Sequence, residues 1–198
     1  MKKTNRQNQI VSIAHIHIPK TAGTTVNTVL NVKMKNHYTW EERFVNQNRN
    51  PEDYFVISFV RNPYDRLLSY YRYKKHKEQQ GFEKTSLSKN IDFNDWVKEV
   101  YVYNNKRFFD WRIQKTMWDF VSYKDELKPD YIGRFENLQQ DLKNIFQIID
   151  RPFSKIPIKK ENTVPNSNSN YRSEYKDSTI EIATEFFKKD LETWGYSF

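Results

Sequence analysis

The chain has 198 residues, room for about one domain, and its hydrophobic share of 37% includes enough rings (16% aromatic) to fill a core. Its formal net charge of +8 suits either a solvated, Lys-rich surface or a negatively charged partner such as a nucleotide or an acidic glycan. The absence of cysteine excludes disulfides, thiol catalysis and Cys-ligated zinc, and fits a reducing cytosol.

Met1 to Gln9 is polar with no apolar signal core behind it, and no apolar run is long enough to span a bilayer, so a cytoplasmic protein is expected. Ile10 to Ile18 (IVSIAHIHI) is rich in β-branched residues and predicts a first strand. Pro19 to Thr25 is a small-residue loop, and Val26 to Met34 is a predicted helix. Tyr54 to Val60 (YFVISFV) is a continuous apolar run, as in a parallel strand covered on both faces. Pro63 then opens a helix that continues from about Tyr64 to Gln79, with Tyr64, Leu67, Leu68 and Tyr71 on its apolar face and Ser69 nearly opposite.

A polar loop is expected from Glu78 to Asn90, then a helix from Phe93 to Tyr103 with Phe93, Trp96, Val97 and Val100 on one side. Arg107 to Val121 fits neither period. Tyr131 to Phe135 predicts a short strand, and Glu136 to Ile149 an amphipathic helix. Lys155 to Asn170 reads as a Pro/Asn/Ser-rich loop. Asp177 or Ser178 caps a last helix that ends near Trp194-Gly195. The basic runs Lys74 to Lys77 and Lys159-Lys160 are too short for nucleic-acid tracts, and no nucleic acid partner is expected. Strands alternating with helices, without repeats or a linker, predict an α/β fold: a parallel β-sheet flanked by helices, in a single domain over residues 1–198.

Chemistry concentrates at His17-Ile18-Pro19-Lys20-Thr21-Ala22-Gly23-Thr24-Thr25. A strand, a small-residue turn and a helix start offer free N–H groups and a positive dipole end to a phosphate. Lys20 adds a cation, Thr21, Thr24 and Thr25 add hydroxyls, and Gly23 lets a bulky anion approach the backbone. The pattern G-x-x-x-x-G-K-[ST] is absent, and the second strand ends in Arg61 rather than in a metal-binding carboxylate, which argues against metal-assisted phosphoryl transfer. In a parallel sheet both strand ends face one edge, so Lys20 and Arg61 can converge on a ligand with two separate phosphates, and Ser69 can add a hydroxyl.

The stretches HIPKTAGTT and FVRNPYDRLLSYY resemble the two cofactor-binding signatures of sulfotransferases that use 3′-phosphoadenosine-5′-phosphosulfate (PAPS). They are most like those of the carbohydrate group that includes heparan sulfate 2-O- and chondroitin-type sulfotransferases and small bacterial relatives. Asn36-His37-Tyr38-Thr39, Gly133 to Leu138 (GRFENL) and Asp190 to Phe198 are similar to further family segments, in the family's order. The resemblance implies the sulfotransferase fold of the P-loop nucleotide-kinase-like type, PAPS as donor with no required metal, and a hydroxylated acceptor of the glycan class. It implies that Lys20, Thr21, Ala22, Gly23, Thr24 and Thr25 hold the 5′ end of the donor and that Arg61 and Ser69 hold its 3′-phosphate. Arg172 and Asn162 fall in a segment similar to one that closes over the nucleotide, with altered length and spacing.

In such a transfer Lys20 stabilises charge on the leaving oxygen, and a base takes the acceptor proton. His37 is the first candidate for the base and Glu41 the second. His15 and His17 share one side of the first strand and read as strand-end packing, and His76 reads as solvated. Gln114 and Trp111 are candidates to line an acceptor cleft, and for Trp111 core packing stands beside that reading. Two other readings stand beside this one: a small-molecule kinase, which lacks its Gly-Lys-Ser/Thr here, and a non-catalytic glycan-binding protein, which the charge and aromatics permit.

Overall fold

The computed structural model describes residues 12–33, 36–81, 91–108, 110–153 and 170–198. In chain order the elements are β1 (Ser12–Ile16), α1 (Gly23–Leu30), α2 (Trp40–Phe44), β2 (Tyr54–Val60), α3 (Pro63–Gln79), α4 (Phe93–Tyr101), α5 (Trp111–Gln114), α6 (Met117–Val121), β3 (Ser122–Tyr123), β4 (Glu126–Leu127), β5 (Tyr131–Arg134), α7 (Leu138–Ile148), α8 (Asp177–Phe186) and α9 (Lys188–Trp194). They divide into two compact units, one from Met1–Arg61 with Met117–Lys159, the other from Asn62–Thr116 with Lys160–Phe198.

The first unit is built on β2, whose residues Phe55 to Val60 are all buried. β1 and β5 flank it, both parallel, in the order β1-β2-β5 among the described residues. Alternation along β2 sends Phe55, Ile57 and Phe59 to one face, where they meet Val26 and Leu30 of α1 and Leu138, Leu142 and Ile145 of α7. Each such side chain contributes about 1.5–3 kcal/mol on burial. This is the parallel sheet with flanking helices that the sequence pattern predicts.

Two carboxylates fix β5. Asp130 Oδ2 accepts from Val56 N–H at 2.7 Å, and Asp141 accepts from the Tyr131 hydroxyl at 2.8 Å and from Arg134 N–H at 2.7 Å. Ser58, wholly buried in β2, donates its hydroxyl to the Ile16 carbonyl at 2.8 Å, so the one polar side chain facing inward there reinforces the pairing with β1.

In the second unit α3, α4 and α8 share an aromatic core. Tyr64, Leu67, Leu68 and Tyr71 of α3 are buried there, as the helical spacing predicts. Arg66 is buried as well, at 2% exposure, and its Nη2 donates to the Arg112 carbonyl at 3.0 Å. The C-terminal Phe198 meets Tyr64 and Tyr175 edge-on at 5.0 and 5.3 Å, and Asn62 Nδ2 donates to the Ser197 carbonyl at 3.0 Å.

Several local expectations differ. α1 starts at Gly23 rather than Val26 because Ala22 turns left-handed as its N-cap, and it stops at Leu30 because Asn31 is left-handed too, closing its N–H onto the Asn27 and Thr28 carbonyls. Met34 lies outside the described residues, as do residues 1–11, residues 82–90 of the predicted loop at 78–90, and all of the predicted loop at 155–170 but its last residue. The predicted last helix breaks at Phe187 into α8 and α9, and Lys176, not Asp177 or Ser178, is the N-cap of α8. The stretch of mixed period before Val121 resolves into short helices, and the small β3–β4 hairpin and α2 had no periodic signal long enough to predict them.

Candidate functional site

The loop from β1 to α1 turns through two left-handed non-glycine residues, Lys20 (φ 69°) and Ala22 (φ 65°). Such a backbone costs energy for an L-residue and is held by its surroundings. Thr21 between them is wholly buried, and its hydroxyl donates to the Ile18 carbonyl at 2.9 Å, closing the loop on itself. Its hydrogen is therefore committed within the loop rather than offered outward. Arg61, one residue past β2, donates from Nη1 to the Lys20 carbonyl at 3.0 Å. Its guanidinium lies 4.0 Å from the centroid of the Phe135 ring, and its backbone N–H reaches Met117 Sδ at 3.4 Å. The ends of β1, β2 and β5 are thereby joined through one arginine.

Lys20 is half-buried, and burial together with the Arg61 charge pushes its ammonium down to about 8. The first turn of α1 has no side-chain cap and no acidic residue, so its leading N–H groups keep their positive end toward the loop. Thr24 is exposed and Thr25 half-buried at that turn. Strained backbone, two cations and an uncapped helix start make a cradle for an anion.

Gly23 also has a packing role that the sequence pattern does not reveal. Its φ is not positive, and a β-carbon there would overlap the imidazole of His17. The His17 ring occupies the space where a Gly23 β-carbon would lie.

Three histidines follow one another beside this turn. His15, wholly buried, donates from Nδ1 to Asn27 Oδ1 of α1 at 2.7 Å. Its ring stacks on that of His17 at 5.4 Å between centroids, and His17 lies 4.2 Å from His37. Burial pushes His15 down to about 4 and His17 to about 2, so both are neutral at physiological pH. His37 Nδ1 lies 2.9 Å from the His17 carbonyl, an acceptor only, so Nδ1 carries the hydrogen and Nε2 the lone pair of the neutral ring. The His37 segment runs into α2 through a capping box, with Thr39 N–H to Glu42 Oε2 at 2.8 Å and Glu42 N–H to Thr39 Oγ1 at 3.1 Å. Glu41, the second candidate base, is exposed on the first turn of α2.

The first unit thus holds Lys20, Thr21, Ala22, Gly23, Thr24, Thr25, His37 and Arg61. Ser69, half-buried on α3, and Arg172, exposed with its guanidinium 4.8 Å from the Tyr171 ring, belong to the second unit. Asn162 lies outside the described residues. Trp111 is 38% exposed between Arg112 and Lys115, which removes core packing as its role. Phe135 and Met117, which position Arg61, were missed: the first sits inside the GRFENL segment without an assigned role, and the second is far away in sequence with no motif around it.

The family model described as "Sulfotransferase family" matches residues 6–197. An uncharacterized protein of Archaeoglobus fulgidus is 28% identical over 106 residues, 51% of this chain and 72% of its own length. No solved structure matches. Among the described residues no helix is long and apolar enough to cross a membrane.

Proposed function

The chain belongs to the sulfotransferase family, and from that premise we propose that it transfers the sulfuryl group of PAPS to a hydroxyl of a sugar or glycan in the cytoplasm, as one domain that both units make up. The observation that carries this reading is the Lys20–Arg61 pairing at the β1–α1 turn: one cation on a strained loop and another, from the end of β2, held by the first one's backbone carbonyl. These residues fit an anionic phosphosulfate. PAPS supplies an activated sulfuryl group and leaves as 3′-phosphoadenosine-5′-phosphate (PAP).

In this reading the leading N–H groups of α1, with Ala22, Gly23, Thr24 and Thr25, hold the 5′-phosphate end. Lys20 places its charge against the oxygen that leaves the sulfur. His37 takes the proton of the attacking hydroxyl at Nε2, the nitrogen that the His17 carbonyl leaves with its lone pair. Arg61 and Ser69 bind the 3′-phosphate, and Arg172 covers the nucleotide. The preference for His37 over Glu41 rests on this fixed tautomer and on its packing against the turn. A metal ion is not part of the proposal, because a sulfuryl group carries less charge than a phosphoryl group.

Calorimetric titration with PAP, AMP and ATP–Mg²⁺ tests the donor class. Micromolar PAP binding that needs the 3′-phosphate and weakens at least tenfold in Arg61→Ala is expected; preference for ATP–Mg²⁺ would overturn the reading. Turnover tests the roles. Lys20→Ala should lose most sulfation, and His37→Ala should lower turnover with PAP affinity unchanged. Normal turnover in His37→Ala would move the base to Glu41.

A further inference from the structure

A cavity of roughly 680 Å³ opens in the first unit, and neither Lys20, His37 nor Arg61 lines it. Part of its wall comes from positions that begin strands or follow helices. Ser12 opens β1, Asn31 follows α1, Arg49 precedes β2 and Arg151 follows α7. In a parallel sheet these positions share the N-terminal edge of the strands, opposite the edge that carries the phosphate loop.

The charge of the cavity has one sign. Lys33, Arg43, Arg49 and Arg151 line it, and no acidic residue among the described ones does. A cation just past a helix C-terminus complements the helix dipole, which accounts for Lys33 and Arg151. It does not account for Arg43. That side chain projects from α2, is 5% exposed, and its Nε is buried without a hydrogen-bond partner. Burial and the like charge of Arg49 hold its pKa below the usual guanidinium value, and the opposing groups are the phenols of Tyr54 and Tyr38. A buried guanidinium facing another cation works against folding unless an anion joins it. The remaining wall is mixed: the amides of Asn31, Asn36 and Gln47 and the hydroxyls of Ser12 and Tyr38 suit hydroxyls, and Ile13, Leu30 and Val32 give it an apolar side. The volume is that of a small-molecule site, larger than a bare oxyanion requires.

We propose that this cavity is a second oxyanion site, at the sheet edge opposite the phosphate loop, which takes a sugar carrying a sulfate or phosphate ester with Arg43 as its buried anchor. The guanidinium presents a planar fork to two ester oxygens, Arg49 and Arg151 add charge from the exposed rim, and the amides meet the sugar hydroxyls. The site stands independently of the sulfotransferase reading.

The test is calorimetric titration of the full chain with glucosamine 6-sulfate, glucose 6-phosphate, inorganic pyrophosphate and uncharged glucose. At least one sugar ester should bind, and the tighter of the two identifies the ester. Arg43→Gln should weaken that binding tenfold or more, and so should Arg49→Gln with Arg151→Gln, two exposed positions whose change leaves folding intact. Arg61→Ala should leave it unchanged, which separates this cavity from the phosphate loop. Esters that bind no better than glucose, binding of pyrophosphate alone, or ester affinity lost in Arg61→Ala and kept in the Arg49/Arg151 pair would each overturn the proposal.

Discussion

The ring of His17 and the bare Cα of Gly23 fit each other as one unit, and each makes sense of the other. A glycine in a phosphate loop suggests room for a ligand, and from sequence alone that is how Gly23 reads. The imidazole fills the room instead, and the same histidine holds Nδ1 of His37 through its carbonyl. Gly23→Ala should therefore destabilise the protein by about 2 kcal/mol through overpacking. His17→Ala in the same chain should return much of that loss by making space. Urea unfolding of the two single variants and the double variant measures the coupling; strictly additive losses would show that the two residues do not meet. The residue types of the loop were legible because they are consecutive and their chemistry is local. Phe135 and Met117 were not, because each reaches Arg61 only after the chain has returned from the other unit.

Periodicity located β2 and α3 well because each has a strong pattern of its own: an unbroken apolar run for the strand, four apolar residues at helical spacing for the helix. It could not foresee what ties α3 to α5. Asp110 caps α5 by accepting from Arg112 N–H at 3.1 Å, and its carboxylate also takes the Tyr70 hydroxyl, the Lys74 ammonium at 3.1 Å and the Arg112 guanidinium at 3.0 Å. These partners hold its pKa below the usual carboxylate range against the opposing effect of burial, whereas burial, reinforced by the contact with Asp110, pushes Tyr70 well above its ordinary value. Lys74, which reads in sequence as part of a short basic run, is thus a structural cation with 15% of its side chain exposed. Asp110→Ala would remove the carboxylate that Lys74, the Tyr70 hydroxyl and Arg112 share. A loss of about 3 kcal/mol follows from breaking a largely buried pair, read as a lower urea midpoint at unchanged slope. An exposed pair such as Lys128–Glu126 should matter little, and Glu126→Gln should shift the midpoint hardly at all.

Across the whole molecule the order of motifs carried the fold and the family, because a strand, a turn and a helix in sequence constrain topology before any contact is known. The energetic character of the site was not readable in that order, since it depends on how deeply the fold buries His15, His17 and Lys20. All three have folded pKa values below their unfolded ones, which sets the sign of two pH effects. For His15 the stabilising contribution is complete above 6.5 and is lost as pH falls toward about 4. The shift corresponds to about 3 kcal/mol. His15→Phe should flatten the fall of stability between those limits while lowering stability at neutral pH through the lost bond to Asn27; an unchanged acid slope would mean that the loss arises elsewhere.

Lys20 acts on the alkaline side. Between about 8 and 10.5 the unfolded chain holds more protons at this position than the folded one, so the apo protein gains stability from Lys20 as pH rises across that window. At neutral pH the ammonium is charged in both states, and the folded state bears its burial beside Arg61. A phosphate placed against Lys20 reverses the balance, because it favours the charged form and draws the pKa back up. If PAP binds at Lys20 as proposed, its binding is coupled to proton uptake once pH exceeds about 8. The rise in melting temperature on adding PAP should accordingly be larger at neutral pH than at pH 9.5, above the range in which the nucleotide phosphates themselves titrate. In Lys20→Ala that difference should vanish, and the rise itself should be smaller. A stabilisation independent of pH in the unaltered chain would mean that the bound phosphate does not reach Lys20, and the leaving oxygen would then need another cation.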